Sequence, residues 1–326
     1  MSTRMPARRP FRRALSVMGI VALAIAGLLL ASTAANLFLE QRERANTQPY
    51  GERVEIEGGS MNVYRTGKGG QPIVLLSGLA TPAPALDFAP LIRELDPFDV
   101  TVVEGFGYGY SDMTATDRTV ENISTELHEV LSKLDIPAPY VLLGHSIAGF
   151  YTLDYANRYP DEVAAVVGID TTVPSSKARR EPVPSGGIDI ERLLATVGVV
   201  RAVAMVAPGF VEPDGDAFTR TERDQMRMMQ SWNFGNAAVA DETRRIGNNA
   251  AALKGMTYPD DLPVLTFLAG DKVASAPEWL TLHEEQLRNV TRHEVVVLDG
   301  GHYLHWTQSH AMAEKLTDFL AADVAP

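Results

Sequence analysis

Six short apolar runs constrain this chain more than any other feature. They are "PIVLLSG" from Pro72, "VTVVEG" from Val100, "YVLLGHS" from Tyr140, "VAAVVGID" from Val163, "PVLTFLAGD" from Pro263 and "HEVVVLDGG" from His293. Each is continuously apolar rather than alternating, the pattern of a strand buried on both faces of a sheet. The intervals between them carry apolar residues at helical spacing: Val120, Ile123, Leu127, Val130, Leu131 and Leu134 in one, Leu280 and Leu287 in another, and Met312, Leu316 and Phe319 in the last. Strands and helices in alternation predict an α/β fold, a mostly parallel central sheet flanked by helices. Ahead of these runs, "RVEIEGGSMNVYRTG" alternates and turns at Gly58-Gly59, which predicts a hairpin.

One interval breaks the alternation. Residues 171–255 hold no buried-strand pattern and are rich in Pro, Gly, Met and charged helical segments. That is far beyond the roughly 15 residues of an ordinary loop. The expected organisation is therefore a core of residues 40–170 and 256–326 with a helical cap, 171–255, inserted into it.

Residues 1–39 form a separate segment. Arg4, Arg8, Arg9, Arg12 and Arg13 precede an uncharged, mostly apolar stretch from Ala14 to Leu39, longer than the ~20 residues that a membrane crossing needs. It lacks the polar face of a surface-packed helix. It reads as a signal peptide, with "ASTAAN" at Ala31 to Asn36 as a cleavage site, or as an uncleaved membrane anchor; "RRPF" at Arg8 faintly suggests a twin-arginine signal. On either reading the arginines stay in the cytoplasm, and the chain after Glu40 is exported, anchored or secreted.

The whole chain carries 29 basic and 41 acidic residues, a net charge of −12. Without the five N-terminal arginines, 24 basic residues remain and the balance is −17, which argues against a nucleic-acid partner. There is no cysteine, which excludes disulfides, a thiol nucleophile and a Cys-ligated zinc. Sequons at Asn122 and Asn289 are too common a pattern to imply glycosylation.

The third apolar run ends in Gly144-His145-Ser146-Ile147-Ala148, and a helical pattern starts at once. A strand–turn–helix corner with small residues two before and two after a serine is a nucleophile elbow, here with Ala148 where Gly is usual. A serine hydroxyl needs a base to take its proton and a carboxylate to hold that base in the right tautomer. "DGGHYLHW" places His302 just past the last strand, and "FLAGDKV" places Asp271 at the end of the preceding one.

With these motifs in the order Ser, acid, His, the sequence after Val54 resembles the α/β-hydrolase superfamily, in its serine hydrolase branch with a helical cap. The resemblance implies Ser146 as nucleophile, Asp271 as acid and His302 as general base, with Asp170, at the end of another strand, as the alternative acid. It implies an oxyanion hole made by the backbone N–H of Ile147 and a second N–H from Ser77-Gly78-Leu79-Ala80, where Leu79 is the first choice and Ala80 the reserve. His145 is expected to support the elbow, Asp299 to shape the turn before His302, and His305 to pack near the site. No cofactor or metal is implied; as ligands, "HYLH" lacks a third partner. "VEGFGYGYSD" from Val103 resembles the superfamily's loop after the next strand, and its glycines do not fit a nucleotide fingerprint.

Serine at the elbow argues against the superfamily's dehalogenases and epoxide hydrolases, which use a carboxylate there. The expected function is hydrolysis of a carboxylic ester or related small acyl compound through an acyl-enzyme. In the cap, Met205, Met226, Met228, Met229, Trp232 and Phe234 are candidates for an apolar pocket, with Trp232 and Met229 foremost. Glu222 and Asp224 keep open an amine-recognising, iminopeptidase-like amide hydrolase. A non-catalytic ligand-binding protein on the same fold also stays open, whereas a mere membrane-tethered scaffold would have no use for the elbow.

Overall fold

A computed structural model of the chain describes residues 9–67, 69–183, 189–210, 212–213 and 216–322. The N-terminal helix α1 runs over Arg9–Asn46 and is long and apolar enough to cross a membrane. The hairpin β1 (Glu52–Ile56) and β2 (Gly59–Thr66) follows, then β3 (Pro72–Leu76), the short helices α2 (Pro84–Asp87) and α3 (Ala89–Glu94), and β4 (Asp99–Glu104). Helix α4 (Val120–Lys133), β5 (Tyr140–His145), α5 (Ala148–Arg158) and β6 (Val163–Ile169) complete the first half.

These strands, with β7 and β8 below, make one eight-stranded sheet in the order β1-β2-β4-β3-β5-β6-β7-β8. The hairpin pairs antiparallel within itself and with β4, and the remaining pairs are parallel. Alternate residues along a strand feed opposite faces. In β3, Ile73 and Leu75 pack with Phe88, Leu91 and the C-terminal helix, while Val74 and Leu76 pack with Val130, Leu131 and Leu153 of α4 and α5. The continuous apolar runs thus serve two cores at once. The exception is β8: as an edge strand it has one neighbour, and its residues are only partly covered.

Between β6 and β7 lie α6 (Ile190–Thr196), α7 (Val199–Val206), α8 (Arg220–Asn233) and α9 (Ala237–Ala252), with no strand among the described residues. Side chains at their N-termini start three of them: Asp189 for α6, Asn236 for α9, and Thr219 for α8 in a reciprocal capping box with Glu222. The insert is bolted to the loops that follow β3 and β4. Asn233 Nδ2 donates to Pro82 O at 3.0 Å and to Gly109 O at 2.8 Å, and Asn236 Nδ2 donates to Gly107 O at 2.8 Å. The chain closes with β7 (Val264–Ala269), α10 (Gly270–Ser275), α11 (Glu278–Leu287), β8 (His293–Leu298), α12 (Leu304–Thr307) and α13 (Ser309–Ala321).

Candidate active site

Ser146 stands between β5 and α5 with φ of 55°, the left-handed region that a non-glycine residue enters only when its surroundings force it. The force is visible: Ser146 N–H donates to Ile169 O at 3.0 Å, and its carbonyl accepts from Thr172 N–H at 2.8 Å and Gly149 N–H at 3.1 Å. A Cβ on Gly144 would lie 3.2 Å from the Ala148 Cβ. Glycine at 144 gives this corner its room, and alanine is accommodated at 148. Ile147 is the N-cap of α5, and its N–H has no partner among the described residues.

The loop after β3 lies against this corner. A Cβ on Gly78 would fall 2.8 Å from His145 Nδ1 and 3.1 Å from Ser146 Cβ. Of the two donors weighed from sequence, the Ala80 N–H is already given to Tyr108 Oη at 3.3 Å. The Leu79 N–H has no partner among the described residues.

His302, after β8, meets Asp170, after β6: Nδ1 to Oδ2 is 2.6 Å. Asp170 is buried, also at a positive φ of 43°, and its other oxygen accepts from Trp279 Nε1 at 2.7 Å and from Ala269 N–H at 3.2 Å. Burial alone would raise this carboxyl. The hydrogen bonds from His302, Trp279 and Ala269 outweigh burial and hold its pKa below the ordinary aspartate value. An ionised carboxylate on Nδ1 fixes that nitrogen as N–H and leaves Nε2 with a free lone pair, the tautomer a general base requires. The His302 ring lies 4.6 Å, centre to centre, from the ring of His145, the immediate neighbour of Ser146.

A profile of the family described as alpha/beta hydrolase fold matches residues 71–187. An uncharacterised protein of Bacillus subtilis, YbdG, is 26% identical over 261 residues, 76% of this chain and 79% of that one. An epoxide hydrolase from Vigna radiata superposes with a TM-score of 0.65 at 15% identity, covering 83% of this chain and 97% of that one. A thermophilic esterase from Thermogutta terrifontis superposes with a TM-score of 0.54 at 20% identity, covering 83% and 98%. The chain has the α/β-hydrolase fold, and residues 71–187 match that family's model.

The carboxylate that the structure places on His302 is the alternative, Asp170, rather than the expected Asp271. The chain leaving β7 turns directly into α10, so Asp271 falls in the first helical turn, where its charge suits the helix dipole. Its side chain is exposed and holds no hydrogen bond among the described residues. It borders an open cavity of about 490 Å³ with Lys272, Trp279 and His302.

The two foremost cap candidates are also corrected. Met229 and Trp232 lie on the inner side of α8 and are fully buried. Trp232 Nε1 donates to Glu43 Oε2 at 2.9 Å beneath the Arg44 guanidinium, and Met229 Sδ accepts from Tyr50 Oη at 3.7 Å. Trp232 packs the insert to the end of α1, and Met229 packs it to the segment that follows. One helical turn away, Met226 and Gln230 line a cavity of about 420 Å³, together with Leu79, Pro82, Tyr303 and Trp306. Glu222 and Asp224 face elsewhere: Glu222 accepts from Arg93 at 2.8 Å, and Asp224 pairs with Arg220 and Arg227.

Beneath the elbow is a group that sequence reasoning did not assemble. His145 Nε2 faces the His302 carbonyl at 3.2 Å, so it is the donor and Nδ1 keeps the lone pair. Burial, then the nearby His305 and His302 rings, push the His145 pKa well down. His305 Nε2 meets Asp87 Oδ2 at 2.8 Å, and Trp306 Nε1 donates to Asp87 Oδ1 at 3.1 Å. Asp87, His145 and His305 bring donor atoms within 4.8 Å of one another, all buried. Asp87 is the hydrogen-bonded link between α2 and α12, and the elbow joins it through the His145 ring, which packs against that of His305 at 4.6 Å between centres. Asp87 lies in an apolar helical stretch, and no local signal in the chain marks it.

Glu104, the last residue of β4, is buried and its pKa is raised by burial; Tyr50, Asn62 and the Tyr110 and Ala85 N–H groups all donate to it. It stitches the loop after β4 to the hairpin.

Proposed function

We propose that the chain is a serine hydrolase that cleaves a carboxylic ester or related acyl compound through an acyl-enzyme on Ser146, with Asp170 as the acid. The observation that carries this reading is the 2.6 Å contact of His302 Nδ1 with a buried, doubly braced carboxylate, beside a strained serine turn. In the proposed reaction His302 Nε2 takes the Ser146 proton as Oγ attacks the carbonyl carbon. The N–H groups of Ile147 and Leu79 hold the charge on the carbonyl oxygen. His302 then gives the proton to the leaving group, and water repeats the sequence and frees the acid. The scheme calls on no cofactor.

The 420 Å³ cavity, apolar along Met226 and Trp306 and bordered by Leu79, suits an acyl chain. The acids that favoured amine recognition are engaged by arginines outside that cavity, which weakens the iminopeptidase-like reading. The likeness to epoxide hydrolases supports the fold alone, since their similarity to this chain is low. We further read α1 as the anchor or signal that places the body across the cytoplasmic membrane.

Labelling with an active-site fluorophosphonate tests the nucleophile. Wild-type protein should label, and Ser146→Ala and His302→Ala should not. Equal labelling of Ser146→Ala overturns the assignment.

A further inference from the structure

Helix α7 is built inside out for a protein surrounded by water. Its one charge, Arg201, points inward, where Nε donates to Asn36 Oδ1 at 2.7 Å and NH1 meets the Glu43 carboxylate. Ala204 is buried on the same side. The outer side is apolar and bare: Val199, Val203, Met205 and Val206 are 41%, 39%, 72% and 82% exposed. Helix α6 extends this surface with Ile190 and Leu193, 66% and 50% exposed. Water-soluble surfaces scatter such residues singly; a continuous face marks a contact with something apolar.

What lies against that face is indicated by α1. The turn between α6 and α7 is bonded to α1 at Ser32, whose Oγ donates to Val197 O at 2.7 Å, and at Asn36, whose Nδ2 donates to Ala195 O at 3.1 Å. Both residues fall inside the uncharged stretch that ends at Leu39, before Glu40. At ~1.5 Å per residue, they sit about 6–12 Å below the point where α1 becomes charged. If α1 lies in a bilayer, the turn it holds is drawn to the headgroup boundary, and the bare face of α7 lies beside it. Interfacial helices bury an apolar face to about that depth.

We infer that α6 and α7 are embedded in the membrane interface beside α1, and that the hydrolytic site takes its acyl substrate from the lipid phase. This rests on the anchored serine-hydrolase reading above. The cavity reaching Leu79 has Gly209 and Glu212, which follow α7 in the chain, in its wall, so one side of it is built by the segment next to the embedded face. A substrate with a long acyl chain need not cross water to reach Ser146.

The chain's lack of cysteine makes the test clean. Full-length Leu23→Cys, Val206→Cys and Thr125→Cys proteins, each carrying a nitrobenzoxadiazole label, are reconstituted in phosphatidylcholine vesicles. Quenching by doxyl-labelled phosphatidylcholine is compared with quenching by iodide. The inference expects Leu23 and Val206 labels to be quenched by lipid, and the exposed Thr125 on α4 by iodide. Lipid quenching at Leu23 with iodide quenching at Val206 overturns the embedding and leaves the anchor standing; iodide quenching at Leu23 overturns both.

The substrate route is read from Val206→Glu, assayed on a long-chain nitrophenyl ester dissolved in vesicles and on soluble nitrophenyl acetate. A tenfold or greater loss on the first alone is expected. Equal loss on both, or on neither, overturns the route, whereas a wild-type protein inactive on both overturns the acyl-hydrolase reading itself.

Discussion

His302 Nδ1 and Asp170 Oδ2 are 2.6 Å apart across strands β6 and β8, bridging over the end of β7 that carries Asp271. The carboxylate that holds the imidazole therefore comes from two strands away, and the nearer one makes no hydrogen bond to it. Asp170→Asn should lower kcat on a nitrophenyl ester about 10³- to 10⁴-fold, because an amide opposite Nδ1 favours the wrong tautomer. Asp271→Asn should stay within about threefold. Steady-state kinetics on the two variants decide, and the reverse ranking would restore Asp271.

Why the sequence left that choice open is a matter of range. Strand runs, the elbow and the position of His302 are local patterns, each read within a dozen residues. Asp170 and Asp271 look alike at that range, both following a strand. What separates them is the left-handed backbone at Asp170 and the Trp279 indole that α11 brings to it, neither of which has a local signature. The same holds for Asp87 with His305, and for Asn36 under the α6–α7 turn, contacts spanning more than 150 residues. Within α8, apolar periodicity marks a buried side but not which residue on it borders a cavity, and it is Met226 rather than Met229 that lines the wall.

His145 gives the fold a pH dependence. Its folded pKa lies well below the ordinary value because its ring is buried near two other histidines. The unfolded chain, with a pKa of about 6.5, binds a proton that the folded one refuses. Stability is then greatest above about pH 6.5 and falls as pH drops below it. Replacement by Gln, which can still donate to the His302 carbonyl, should flatten this fall. Thermal midpoints between pH 8 and 5 are the measurement, and an unchanged slope would remove His145 as its source.

Gly78→Ala should separate oxyanion stabilisation from folding. The new Cβ would sit 2.8 Å from His145 Nδ1 and 3.1 Å from Ser146 Cβ, too close unless the loop backs away. That motion carries the Leu79 N–H off the elbow, and loss of one oxyanion donor costs about 10²- to 10³-fold in kcat. KM should change little and the circular dichroism spectrum should stay that of the wild type. Full activity would mean that this loop is not the source of the second donor.

Met226 and Met229 offer opposite readouts from one helix. Met229 is fully buried between Tyr50 and the insert, so Met229→Ala should leave a cavity and cost about 2–5 kcal/mol of stability with substrate preference unchanged. Met226 borders the space that runs toward Leu79. Shortening it enlarges that space, and one methylene of fit in an apolar pocket is worth ~1–3 kcal/mol in discrimination. Met226→Ala should therefore shift the preferred nitrophenyl ester toward longer or bulkier acyl groups. A series from acetate to decanoate, run alongside chemical denaturation of both variants, tests the pair. If Met229→Ala moves the chain-length optimum and Met226→Ala does not, the acyl chain lies on the other side of α8 from the cavity assigned here.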